Sequence, residues 1–168
     1  RVKPIALKIE IAENLSPLTV LTVGERNLAR NAWMVFFDKV HTRPSQRFPA
    51  RLVPSAVRAT STPTRARVAI DGLTAGGFAG RFELTIFSGS PLVLAEAVVS
   101  TAQDGRAILY DAGLVAPPGL ARSYAWIDPR EGPQRAPADT PGGVRAARFR
   151  TAAVEFPGGV GALTSMSS

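Results

Sequence analysis

The sequence predicts an all-β fold, an antiparallel β-sandwich of about ten short strands, and three observations carry that expectation. Fourteen prolines and fifteen glycines are spread through 168 residues, a density of breakers that leaves little room for long helices. The stretches free of them, such as 25–42 and 92–104, have no clear 3.6-residue period. Short apolar segments instead recur every 8–15 residues between turn signals, the rhythm of a sandwich or barrel.

Taken in order, Ile5, Leu7, Ile9 and Ile11 alternate with Lys8 and Glu10, a half-buried strand by its period of two. Leu18 to Val23 is a second strand, closed by Gly24. Ala32 to Val40, with Trp33, Val35, Phe36 and Phe37, is the most apolar stretch; its aromatic and β-branched content favours a strand over a short helix. From 41 to 55, Pro44, Pro49 and Pro54 among Arg43, Arg47 and Arg51 indicate an extended surface connection. Val57 to Thr60 and Arg67 to Ile70 flank a polar turn with Pro63, as in a hairpin. Asp71-Gly72 and Gly76-Gly77 mark turns.

Phe82, Leu84 and Ile86 then alternate along Arg81 to Phe87, Leu92 to Thr101 is a long apolar strand, and Asp104-Gly105 leads into Arg106 to Leu114. An Asp-Gly pair between apolar runs is a strong hairpin signal. The expectation is an antiparallel meander of 81–87, 91–101 and 106–114. After a short strand at Tyr124 to Ile127, residues 128–143 hold four prolines and three glycines and predict a long loop. Ala146 to Phe156 and Val160 to Thr164 are the last strands, joined by Pro157-Gly158-Gly159.

The formal charge is +7, and seventeen of the twenty basic residues are arginine. With so much Ala, Gly and Pro, that bias fits GC-rich codons. The arginines are scattered, and Arg145, Arg148 and Arg150 alternate along an expected strand, so no phosphate track and no nucleic-acid partner is expected. There is no cysteine, hence no disulfide framework, thiolate metal site or cysteine nucleophile. No apolar run approaches the ~20 residues of a membrane helix, and no signal peptide is visible. The chain starts on Arg1 and ends on Ser-Met-Ser-Ser; the expectation is a single β-sandwich domain over 1–168, excised from a larger protein.

No catalytic constellation stands out, and no metal or cofactor is expected. His41 is the only histidine; with Asp38 and Arg43 it places an acid, an imidazole and a guanidinium within six residues, a set able to grip a sugar or a carboxylate. Asp111 and Glu96 are acids inside apolar strands and must be paired, hydrogen-bonded or outward-facing. Two facing carboxylates would suffice for acid/base work on sugars. Trp33, in an apolar strand, reads as core, whereas Tyr124 and Trp126 offer ring faces for stacking against sugar rings. The glycine pairs lack the strand-to-helix context of a phosphate loop.

The run from Phe78 to Val93, with its Phe87-Ser88-Gly89-Ser90-Pro91 turn, continued by Glu96 to Val99 and Ala107 to Leu114, resembles segments of large bacterial carbohydrate-active proteins. It is similar to the β-sandwich portions of exo-rhamnogalacturonan-lyase-like proteins and, more loosely, to the galactose-mutarotase-like supersandwich. The resemblance covers about a quarter of the chain and carries no catalytic residue. It implies a sandwich module in a secreted or periplasmic polysaccharide-processing protein. Tyr124, Trp126, His41, Asp38, Arg43 and Asp111 are then the candidate contacts to a polysaccharide or oligosaccharide, and neighbouring domains of the parent are further partners. Two other readings stand beside it: a structural or adhesive module that packs against a neighbour, and part of a polysaccharide lyase or glycoside hydrolase with carboxylate chemistry.

Overall fold

The computed structural model describes residues 10–26, 44–140, 143 and 145–165. Among these the fold is all-β and sandwich-like, with twelve strands and no helix; none is therefore long and apolar enough to cross a membrane. The strands are β1 Ser16–Glu25, β2 Ser45–Pro49, β3 Arg51–Leu52, β4 Val57–Ser61, β5 Arg65–Ala75, β6 Phe78–Phe87, β7 Val93–Ser100, β8 Arg106–Val115, β9 Ser123–Asp128, β10 Gly132–Pro137, β11 Thr151–Phe156 and β12 Gly159–Thr164. The backbone groups into two compact units, Leu18–Ala112 and Arg1–Pro17 with Gly113–Ser168. The predicted strands at Ile5–Ile9 and Ala32–Val40, with Trp33, lie outside the described residues, and Glu10 and Ile11 are not in a strand.

The 18–112 unit holds two sheets, ordered β2-β1-β8 and β3-β5-β6-β7, with β4 also pairing β5. Leu21 and Val23 of β1 meet Ala75 of β5 and Phe78 of β6 in its core, flanked by Phe48, Ala50, Val99 and Ile108. Leu21 is 1% exposed; β1 is the central strand of its sheet, and Thr19, Val20 and Leu21 are buried in succession, as in a strand covered on both faces. Gly76 and Gly77 form a two-residue turn between Ala75 and Phe78 with φ of 55° and 84°. Positive φ at both positions is the geometry whose twist suits a hairpin.

The meander is half observed. β6 and β7 pair antiparallel, but β8 leaves their sheet and lies beside β1. The Thr101 hydroxyl donates to Gly77 O (2.9 Å) and accepts the Gln103 N–H (3.2 Å). Arg26 N–H donates to Gly105 O (2.6 Å). Gly105 has the left-handed φ of 66° expected of a turn, yet the five residues 101–105 carry the chain across to the other sheet.

Four further corrections follow from backbone pairing. The extended connection at 41–55 contains β2 and β3, which pair with β1 and β5. Asp71-Gly72 is a bulge inside β5 rather than a turn: Gly72, at φ 104°, lets Val53 N–H reach Gly72 O (3.0 Å) and Ser55 N–H reach Asp71 O (3.1 Å), so β3 and β4 follow one another along β5. The expected loop at 128–143 carries β10, paired antiparallel with β9. Ala138 N–H donates to Arg122 O; by alternation Pro133 and Pro137 sit where a strand N–H would face away from β9, which an edge strand tolerates. The strand expected from Ala146 starts only at Thr151, because residues 148–150 turn, with Arg150 at φ 51°.

The other unit holds one four-stranded antiparallel sheet, β10-β9-β11-β12. Asp128 accepts the N–H groups of Arg130 and Glu131 (2.8 and 3.0 Å) and closes the β9–β10 turn, with Gly132 at φ 77°. These donors hold the Asp128 carboxyl below its usual range.

The Gly72 bulge yields a stability prediction. A Cβ there would collide with the Val53 backbone carbonyl, and the φ disfavours any side chain. Gly72→Ala should cost about 2 kcal/mol or more, read as a lower urea midpoint; an unchanged midpoint would refute this account of β5.

Candidate functional site

Each unit presents one polar sheet face on which side chains converge. In the 18–112 unit, direct pairing sets Arg67 opposite Thr85, Ala69 opposite Glu83 and Asp71 opposite Arg81, with Glu83 in turn opposite Glu96. Arg58 of β4 stands opposite Ala69. Directly opposed residues share a face, so Arg58, Arg67, Asp71, Arg81, Glu83 and Glu96 all project from one side, away from Phe78, Phe82 and Leu84.

Glu83 is the centre of this face. Its side chain is 3% exposed and is held by Arg67 on one oxygen and Arg81 on the other. The Arg81 hydrogen bond, reinforced by Arg67, keeps the Glu83 carboxyl below its ordinary range despite burial. Arg58 grips both oxygens of Asp71 (2.7 and 2.9 Å), and that contact raises the Arg58 pKa. The three arginine side chains are 39–60% exposed, so each guanidinium pairs with its carboxylate while the side chain still reaches water. Glu83 and Glu96 are two carboxylates that meet across a strand pair, but a Glu83 held ionised by two arginines is the opposite of a general acid, which needs a raised pKa.

In the other unit, Tyr124 and Trp126 alternate on one face of β9, with Gln134 of β10 opposite Trp126 and with Ala152 and Val154 of β11 alongside. Tyr124 is 41% exposed. Trp126 is half-buried, the Arg145 guanidinium lies 4.9 Å from its ring centroid, and its buried indole Nε1–H has no protein partner among the described residues. The opposite face carries Ser123, Arg135 and Glu155: Ser123 donates to Glu155 (2.8 Å), and Arg135 bonds both. The Ser123 hydroxyl first, then Arg135, lowers the Glu155 pKa.

The structure thus brings Tyr124 and Trp126 together and places Asp111 elsewhere. Asp111, on β8 of the 18–112 unit, is ion-paired with Arg47 of β2 (3.0 Å), both side chains more than half exposed. This is how an acid sits in an apolar strand: it faces water and takes a partner. His41, Asp38 and Arg43 lie outside the described residues. The Glu83 cluster escaped sequence reading, although its signal was present: Arg65, Arg67, Ala69 and Asp71 on β5 and Arg81, Glu83 and Thr85 on β6 alternate with the apolar positions. No group of three potential metal ligands occurs among the described residues.

These features define an all-β protein of sandwich-like architecture with a charged sheet face in one unit and an aromatic one in the other. No family model matches the chain, and no curated protein or solved structure is similar enough to count as a relative.

Removing the carboxylate at the centre of the charged face leaves Arg67 and Arg81 without the partner they share. Glu83→Ala should lose on the order of 2 kcal/mol, a buried-pair loss reduced because both arginines reach water. Because the folded-state pKa of Glu83 lies below its ordinary value of 4.5, its stabilisation is complete above that value and is lost as pH falls through the folded-state pKa. Parent and Glu83→Ala should therefore differ most in thermal midpoint near neutral pH and converge in acid; a difference independent of pH would exclude the ion-pair explanation.

Proposed function

We propose that this chain is an accessory, carbohydrate-contacting β-sandwich module of a bacterial polysaccharide-processing protein that works in the periplasm or outside the cell. The observation that carries this reading is the aromatic face of β9. Tyr124 and Trp126 share it, and residues two apart on a strand stand roughly 7 Å from one another. The exposed Tyr124 ring offers an apolar plane for the C–H face of a sugar. Gln134 and Arg145, beside Trp126, supply the few polar groups that fix a hydroxyl or carboxylate. The resemblance of residues 78–114 to sandwich portions of carbohydrate-active proteins supports the same reading.

The alternative of a packing module is favoured by a separate observation. Val57, Ile86 and Val93 belong to the core-side face of the β4-β5-β6-β7 sheet by register but are 62%, 46% and 57% exposed. Apolar side chains left in water on a core-side face suit burial against a neighbouring domain.

Calorimetric titration with a panel of neutral and acidic polysaccharides separates the two. Saccharide contact predicts measurable binding that Tyr124→Ala weakens about tenfold, ~1.4 kcal/mol, with Ile86→Lys leaving it unchanged. Absence of binding across the panel, together with self-association of the chain that Ile86→Lys relieves in light scattering, would replace the carbohydrate reading with the packing one.

A further inference from the structure

The chain contains two Asp-Gly pairs, Asp71-Gly72 and Asp104-Gly105, and the fold treats them in opposite ways. An aspartate followed by glycine is chemically labile, because a glycine nitrogen with no Cβ beside it attacks the aspartyl side-chain carbonyl with little hindrance. The attack needs two freedoms. The carboxyl group must swing towards the main chain, and the peptide that follows must turn its nitrogen to meet it. Backbone held in a hydrogen-bonded strand denies both until it opens locally.

Asp71 has neither freedom. It lies within β5, opposite Arg81, and Arg58 grips both of its carboxylate oxygens (2.7 and 2.9 Å). Its N–H donates to Ala56 O (2.9 Å), its C=O accepts the Ser55 N–H (3.1 Å), and Gly72 O accepts the Val53 N–H (3.0 Å). The peptide units before, within and after the pair are therefore all held. The Val53 carbonyl also fills the space beside Gly72.

Asp104 has both. It is exposed and stands in the crossover 101–105 between β7 and β8, outside any strand. Its carboxylate has no hydrogen-bond or ion-pair partner among the described residues. The crossover is anchored on either side of it instead. The Thr101 hydroxyl donates to Gly77 O and accepts the Gln103 N–H, and Gly105 O accepts the Arg26 N–H (2.6 Å).

We propose that Asp104 is a site of spontaneous isomerisation to isoaspartate, and that the fold protects Asp71 from the same reaction. In its protonated form the Asp104 carboxyl is attacked at Cγ by the Gly105 nitrogen. The N–H proton and the carboxyl hydroxyl leave as water, and a succinimide ring closes. Water then adds to the main-chain carbonyl of Asp104 and breaks its bond to the Gly105 nitrogen, so that the chain continues through Cβ and Cγ. The water lost in the first step is regained in the second, and composition and redox state are unchanged. The product has an extra carbon in the main chain and a free α-carboxylate. In a crossover anchored at both ends, that extra carbon pushes Gly105 O away from the Arg26 N–H and loosens the entry of β8 into the β2-β1-β8 sheet. This inference is independent of the carbohydrate reading.

Ageing the full chain at neutral pH and body temperature tests it, with isoaspartate located by peptide mapping and counted by methyl transfer from a protein-isoaspartate methyltransferase. Isoaspartate should accumulate at residue 104 and form at residue 71 at least about a hundredfold more slowly, because β5 must open first. Asp104→Glu should abolish the methyl-accepting signal, since the longer side chain closes a six-membered ring far more slowly. In the chain unfolded by urea the two sites should react at comparable rates, which shows that the fold makes the difference. Arg58→Ala should raise the native rate at Asp71 and leave that at Asp104 unchanged; should that variant fail to fold, the comparison of native with urea-unfolded chain still decides. Equal native rates at the two sites would overturn the proposal. So would an Asp104 that stays intact in the native chain while it reacts in urea, or a difference between the sites that persists undiminished in urea.

Discussion

The arrangement of the 18–112 unit depends on one constraint, the absence of a side chain at Gly76. A Cβ at that position would penetrate the ring of Phe48, and Phe48 belongs to β2, in the sheet opposite the β5–β6 hairpin that Gly76 turns. The hairpin end can therefore press against the β2-β1-β8 sheet. Ala75 and Phe78 on either side of the turn join Leu21 and Val23 in the core. Gly77 contributes the carbonyl that takes the Thr101 hydroxyl, so the same turn also guides the chain from β7 over to β8. Apolar burial supplies the driving force, and the bare glycine allows the two sheets to approach closely enough to use it.

On the opposite side of the longer sheet, electrostatics replaces apolar packing. Glu83 is buried although its strand face is polar, because Arg67 and Arg81 lie over it and satisfy both oxygens. A buried carboxylate with its hydrogen bonds complete can remain charged, whereas one without partners would take up a proton. Glu96 stands directly opposite Glu83 across the strand pair. The face is a closed network of charges, and the aromatic face of β9 is the more open surface for a ligand, since Tyr124 keeps much of its ring in water.

The two faces of β9 show how much of the candidate site was legible. Alternation alone puts Tyr124 and Trp126 on one side, and their pairing as candidates needed nothing more. That Arg145 covers the Trp126 ring was not legible, because Arg145 was expected in a strand and instead precedes a turn at 148–150. The partner of Asp111 was equally hidden: Arg47 lies 64 residues away in sequence, in a stretch read as connection. Long-range ion pairs leave no periodic trace along the chain.

The sequence by itself determined the all-β class, the hairpin β4–β5, the pairing of β6 with β7 and the turns at Gly76-Gly77 and Pro157–Gly159, because period-two patterning and turn glycines are local properties of the chain. Only the tertiary structure decided where β8 goes, that Gly72 makes a bulge rather than a turn, and that a proline-rich stretch becomes the edge strand β10. In each case the local signal was correct: Gly105 and Gly72 do adopt left-handed φ, and Pro133 and Pro137 do lack donors. What a turn or a missing donor means depends on which strand lies beside it, and that neighbour is chosen by the burial of distant residues.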